Sequence, residues 1–239
     1  MKTKILIACC LVFNLLNAQT VKWDYPVKPG TPEWSAFLTH DEMLNACLIP
    51  SEILNTLSTE ELVILCLNYP IRFDFYAYTS LNEGLKKVVS NFNGLQELSK
   101  RKDNVEFLLN RLKSIELEKL PFGILSQTEI GEVIVGLTLT ELFLSQESVL
   151  ENATPGQLKE IASIALKNTL LKESHPQLYS QHSVEASTYL LCIGLAKLNN
   201  GVVTSSNVES FLSSGTFIGS SKSEIIGELI QIFSKTLIQ

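Results

Sequence analysis

The side chains that could do chemistry are sparse and badly spaced for it. His175 and His182 stand seven positions apart with Pro176 between them, and His40 is far away in the chain. Zinc sites draw at least one pair of ligands from positions two to five apart, so no metal residues are assigned. Nucleophilic catalysis needs a Ser, Cys or Thr beside a base. No Gly-x-Ser-x-Gly elbow occurs. Ser99-Lys100-Arg101-Lys102 has a Ser-x-x-Lys spacing but lies in a charged helical stretch, where a solvated face is the simpler reading. Glu60-Glu61 is a carboxylate pair, yet adjacent helical positions point to different faces, and a helix dipole favours acids in a first turn. No Gly-x-x-x-x-Gly-Lys phosphate loop is present. Lys86-Lys87 and Lys100-Arg101-Lys102 are interleaved with Glu83, Glu97 and Asp103 and read as solvated surface. These residues assign no catalytic position, no cofactor-binding position and no cofactor.

The cysteines leave two alternatives open. Cys9 and Cys10 sit in the N-terminal apolar run, and Cys47, Cys66 and Cys192 lie beyond it. Cys47 and Cys66 occur in apolar contexts, which favour inert buried thiols or a bridge. A Cys47–Cys66 disulfide is the candidate, with Cys192 free and buried. The loop it would close contributes about 3 kcal/mol in the chain-entropy model.

The aromatic residues are more suggestive. Trp23, Tyr25 and Trp34 surround an irregular segment broken by Pro26, Pro29 and Gly30, and Tyr69, Phe73, Phe75, Tyr76 and Tyr78 crowd around Arg72. Rings give large contact area at small entropy cost, and Trp, Tyr and Arg often dominate binding hot spots. Trp23, Tyr25, Trp34, Tyr69, Phe73, Tyr76 and Tyr78 therefore form a candidate contact surface for a partner chain or glycan. The competing role for these rings is to hold the N-terminal segment on the helices.

The elements that must position these groups read as helices. Thr39/Glu42, Ser58/Glu61, Ser80/Glu83, Asp103/Glu106 and Ser126/Glu129 each match the capping-box spacing or its Asp variant before an apolar stretch. Thr154-Pro155 adds a start with Pro at the first helical position. Leu158, Ile161, Ala162, Ala165, Leu166 and Leu170 form one helical stripe, and Ile225, Ile226, Leu229, Ile230, Phe233 and Leu237 another. Tyr189–Leu198 is apolar nearly all round and should be central. Val133, Val135, Leu137 and Leu139 alternate like a strand but lack a partner, so a buried helix is expected. Stops are read at Asn68-Tyr69-Pro70, Asn93-Gly94, Leu120-Pro121 and Asn199-Asn200-Gly201. The fold class is all-α, a multi-helix bundle or irregular α-solenoid with an extended N-terminal segment, built from about ten helices. No repeat at solenoid periods is found.

The N-terminus combines a basic head, an apolar run over Ile5–Leu16 and Ala18 before Gln19. That is a secretory signal peptide over 1–18, too short to span a membrane. Cys9 or Cys10 as a lipidation site would leave an apolar core too short for export. Removing 18 of the 239 residues leaves 221, enough for one all-α domain over 19–239 with a possible subdomain boundary near 120. The hydrophobic fraction of 45% supports a sizeable core, and the charge of −6 moves near −8 when two signal lysines leave. That acidity disfavours nucleic acid. No other segment has the length and apolarity of a transmembrane span.

Phrases of the first half resemble a family of uncharacterised exported bacterial helical proteins. They are Tyr25-Pro26-Val27-Lys28-Pro29-Gly30-Thr31 with Trp34, Ala46-Cys47-Leu48-Ile49-Pro50, Leu65-Cys66-Leu67-Asn68-Tyr69-Pro70, and Asn91-Phe92-Asn93-Gly94 through Glu97-Leu98 to Arg101. The likeness covers about residues 23–112. It implies an exported helical protein and no particular activity. The expectation is a periplasmic or extracellular protein, soluble after signal cleavage, that works by binding or structural interaction in the cell envelope or outside it. Its partner would be an envelope protein or glycan. The alternative is a hydrolase acting on a glycan or cell-wall substrate.

Overall fold

The computed structural model describes residues 23–201, 205–219 and 221–237. The expected signal peptide and its cleavage point after Ala18 lie outside the described residues. Among the described residues thirteen α-helices carry the fold: α1 Pro32–Ser35, α2 His40–Ala46, α3 Ser51–Leu54, α4 Thr59–Leu67, α5 Leu81–Asn91, α6 Asn93–Lys100, α7 Asn104–Ser114, α8 Gln127–Leu144, α9 Glu147–Leu150, α10 Pro155–Ser174, α11 Gln181–Leu198, α12 Ser206–Ser214 and α13 Lys222–Leu237. Two 3-10 turns, Asp74–Ala77 and Leu117–Lys119, complete the regular structure among the described residues. The excess over about ten helices comes from one-turn helices such as α1, α3 and α9, which are too short to show periodicity.

The caps explain where the helices begin. Thr39, Ser58, Ser126 and Thr154 each accept from the backbone N–H three residues on, and Glu42, Glu61, Glu129 and Gln157 reach back to complete the box. Ser80 accepts from Glu83 N–H, but the Glu83 carboxylate takes the Thr79 hydroxyl instead. Asp103 caps nothing with its side chain; its carboxylate accepts from the Thr59 hydroxyl, tying α7 to the start of α4. Asn93-Gly94 begins α6 rather than ending α5, because Phe92 breaks the chain into extended backbone between them. Asn200 and Gly201 adopt positive φ after α11, the left-handed backbone that ends a helix.

The long second-half helices pack on one another. α10 and α11 pack along their lengths, α8 lies against α11, and α13 closes on α11 and α10. α11 is buried on nearly all sides from Ser183 to Ala196. Val133–Leu139 is helical within α8, as the missing strand partner required. In the first half α4 packs on α6 and α7, and α7 in turn packs on α8. One hydrophobic cluster runs from Tyr25 through Phe92, Leu108 and Leu142 to Leu229 and Ile232, with members on both sides of residue 120.

Residues 23–31 carry no helix. They are pinned through Tyr25, which is buried and donates its hydroxyl to Leu65 O at 2.9 Å. Its ring faces Tyr69 and Phe92, which stack at 4.1 Å and 14°.

Cys47, Cys66 and Cys192 are all buried free thiols, so the candidate Cys47–Cys66 bridge is not formed. Burial pushes Cys66 well up and Cys47 to about 12, with the Asp74 charge adding to the Cys47 shift. Thiolate nucleophiles are thereby disfavoured. Chain lacking residues 1–18 should resist alkylation when native and expose three reactive thiols in denaturant without reductant. A count of one thiol would mean the bridge exists.

Candidate functional site

The aromatic residues separate into two groups with different jobs. From Tyr69 the chain alternates inward and outward: Tyr69, Ile71 and Phe75 are buried, while Phe73 is 47% exposed and Tyr76 and Tyr78 are 37% exposed. Tyr25 and Tyr69, expected on the contact surface, are core residues. Their rings fill the space between the N-terminal segment and Phe92. Trp23 and Trp34 are half-buried. Trp23 meets Tyr25 edge-on at 5.0 Å, and Trp34 meets Phe37 at 5.7 Å. The structure therefore brings Phe73 and Tyr76 together at the surface, with Tyr78 close by in sequence, and leaves the tryptophans to anchor the 23–37 segment.

The exposed rings sit on rigid support. Phe73 and Tyr76 lie nearly parallel, 18° apart, with centroids 6.3 Å apart. Arg72 lies over the Phe73 ring at 5.3 Å, and its Nη2 donates to both carboxylate oxygens of Glu132 on α8 at 2.8 and 3.1 Å. Asp74 accepts from His40 Nε2 at 2.9 Å. Burial raises the Asp74 carboxyl, opposed by the His40 contact. Beneath the turn, Gly84 of α5 comes so close that a Cβ there would stand 2.1 Å from Phe75 O. Glycine at this position lets the turn seat directly on the helix backbone.

A second element, missed at the sequence level, completes the site. His182 in the first turn of α11 packs its ring against Tyr76 at 4.8 Å. Its Nδ1 pairs with Glu185 at 2.9 Å. Glu185 has no exposure and also accepts from Gln181 Nε2 and from Phe217 N–H. A buried carboxylate thus fixes a half-exposed imidazole through Nδ1. Burial, then the Glu185 charge, pushes the Tyr76 phenol up to about 12. His175 is elsewhere, at the C-terminal end of α10.

Another polar constellation is closed to solvent. On α8, Glu141 accepts from Lys172 Nζ at 2.6 Å, from Asn168 Nδ2 at 2.9 Å and from the Ser187 hydroxyl at 2.7 Å. Lys172 also donates to Ser183 O at 3.0 Å, and Thr138 meets the Ser183 hydroxyl at 3.0 Å. Thr138/Glu141, Asn168/Lys172 and Ser183/Ser187 are three or four apart on α8, α10 and α11, so each pair shares one helix face. Glu141 and Lys172 have zero exposure, which places them beyond any substrate. Burial lowers the Lys172 ammonium and the Glu141 contact opposes that shift. The network holds three helices in one register.

The basic run is likewise structural in part, since Arg101 binds Glu97 and the carbonyls of Leu57 and Leu54. Among the described residues no three His, Cys, Asp or Glu side chains are grouped to hold a metal, and no helix is long and apolar enough to cross a membrane. No protein-family model, curated protein or solved structure matches this chain.

Proposed function

We propose that this is an exported binding protein whose contact face is Phe73, Tyr76 and Tyr78, rimmed by Arg72 and His182. The observation that carries the reading is three large exposed rings within six residues, on a turn clamped from beneath by α5 and from the sides by His40 and Glu132. A rigid aromatic face loses little entropy on binding. Rings beside an imidazole, a guanidinium and carboxylates suit a glycan, which offers an apolar ring face and peripheral hydroxyls. The signal-like N-terminus supports a partner in the envelope or outside it.

Retention on insoluble cell-wall polysaccharide tests this. Phe73→Ala with Tyr76→Ala should reduce retention at least about tenfold, the loss of about 1.4 kcal/mol of binding. The melting temperature should move far less than for a core truncation, because both rings are already partly in water. Wild-type protein that is not retained would remove the glycan, and an envelope protein captured through the same two rings would replace it.

The hydrolase reading keeps one supporting feature, the Glu185-held His182 imidazole, which has the geometry of an oriented general base. A turnover screen over cell-wall and polysaccharide substrates, repeated with His182→Ala, separates it from plain binding. Activity lost in that variant with retention intact would favour catalysis.

A further inference from the structure

A cleft of about 1330 Å³ opens between α5, α9, α11 and α12, and it shares no residue with the aromatic face. Leu85 and Val89 of α5, Leu150 of α9, Leu158 of α10, and Tyr189 and Ile193 of α11 supply its apolar lining. Tyr189, Ile193 and Lys197 recur every four residues, so one face of α11 runs from phenol through hydrocarbon to an ammonium. On α5 the same change occurs within Leu85, Lys86 and Val89. Lys86 and Lys197 both line the cleft, and neither is paired with a carboxylate among the described residues.

An apolar cleft of this size with a few convergent polar groups is the general form of a small-molecule site. Two unpaired ammonium groups select a negative head for an apolar body. Glu147 and Glu151 also line the cleft without a cationic partner among the described residues, so they work against a polyanion and favour a head of one negative charge seated between the two lysines. We infer that this cleft binds a single-chain anionic amphipath, an acyl chain ending in a carboxylate or one phosphodiester.

The test uses protein lacking residues 1–18 and a dansylated undecanoic acid probe. Saturable binding with a blue-shifted emission is expected, along with a rise in melting temperature. Palmitate should displace the probe, as should lysophosphatidylglycerol if phosphate heads are accepted, and the relative potency of the two identifies the natural head. Lys86→Glu with Lys197→Glu should weaken binding about tenfold or more. Ile193→Trp should block the cleft, and circular dichroism should show both variants folded. Absence of saturable binding, equal displacement by an alkylammonium of the same length, or indifference to the lysine reversals in folded protein would each overturn the inference. Retention on polysaccharide should persist in all these variants, so failure here is distinguishable from failure of the aromatic face.

Discussion

Lys172→Met is expected to destabilise the protein by about 3–5 kcal/mol, because it leaves the Glu141 carboxylate buried without its counter-ion. The remaining donors, Asn168 Nδ2 and the Ser187 hydroxyl, both reach Oε1, while Oε2 loses its partner at 2.6 Å. For a chain of this size the melting temperature should fall on the order of 10 °C. Lys172→Met combined with Glu141→Leu should recover a large part of the loss. The double variant removes both charges, and apolar replacement of a buried pair is often neutral or better. It keeps a residual cost of about 1–3 kcal/mol because Asn168 and Ser187 then lack their acceptor. Thermal and denaturant unfolding of the two single variants and the double supply the coupling energy. A single-variant loss below about 1 kcal/mol would mean that water reaches Glu141 and that the network is not the dry pin described above.

That network also marks where the sequence was readable and where it was not. The α10 stripe through Leu158, Ile161, Ala162 and Ala165 is buried as its spacing requires. Its continuation was expected at Leu170, which is 44% exposed, whereas Asn168, Thr169 and Lys172 face the core. Spacing from Ala165 places Asn168, Thr169 and Lys172 on its own face at three, four and seven positions, whereas Leu170 continues only from Leu166, which is itself half-buried. Apolarity alone points to Leu170, and only the partners on α8 and α11 explain why the polar set faces inward. Glu141 and Ser187 lie 46 residues apart, and no local pattern announces that they meet. Capping spacings, by contrast, are local chemistry and were legible at Thr39, Ser58 and Ser126. Asp103 departed from its expected cap because Thr59, 44 residues away, competes for its carboxylate. The aromatic segment followed the same division. Crowding of rings was visible in the sequence, but which rings face outward depended on the Tyr69–Phe92 stack, which absorbed Tyr25 and Tyr69 into the core. His182 has no metal-like spacing to another histidine, so nothing local singles it out. Its significance comes from a carboxylate one helical turn on and a tyrosine from a different part of the fold.

Gly84→Ala is the second substitution with a large expected effect. Alanine in place of glycine inside a helix ordinarily gains about 1 kcal/mol. Here the added methyl would stand 2.1 Å from Phe75 O and 2.8 Å from Phe75 C, and both obstructing atoms are backbone. No side-chain rotation relieves such a contact, so either α5 or the 74–77 turn must move. The overpacking cost of about 1–3 kcal/mol, at its upper end for a backbone obstruction, should exceed the helix gain and leave a net loss near 2 kcal/mol. Gly136 in α8 provides the internal comparison, because a Cβ there meets nothing within 4 Å. Gly136→Ala should therefore stabilise by about 0.5–1 kcal/mol. Opposite signs for one chemical change at two helical glycines would locate the effect in the close approach rather than in helix propensity. The Gly84 variant should also lose polysaccharide retention out of proportion to its stability, since moving Phe75 shifts Tyr76, whose ring lies 4.0 Å from it. Retention measured well below the variant's melting temperature decides the point. A folded Gly84→Ala protein that binds as wild type would show that the aromatic face does not depend on how the turn is seated.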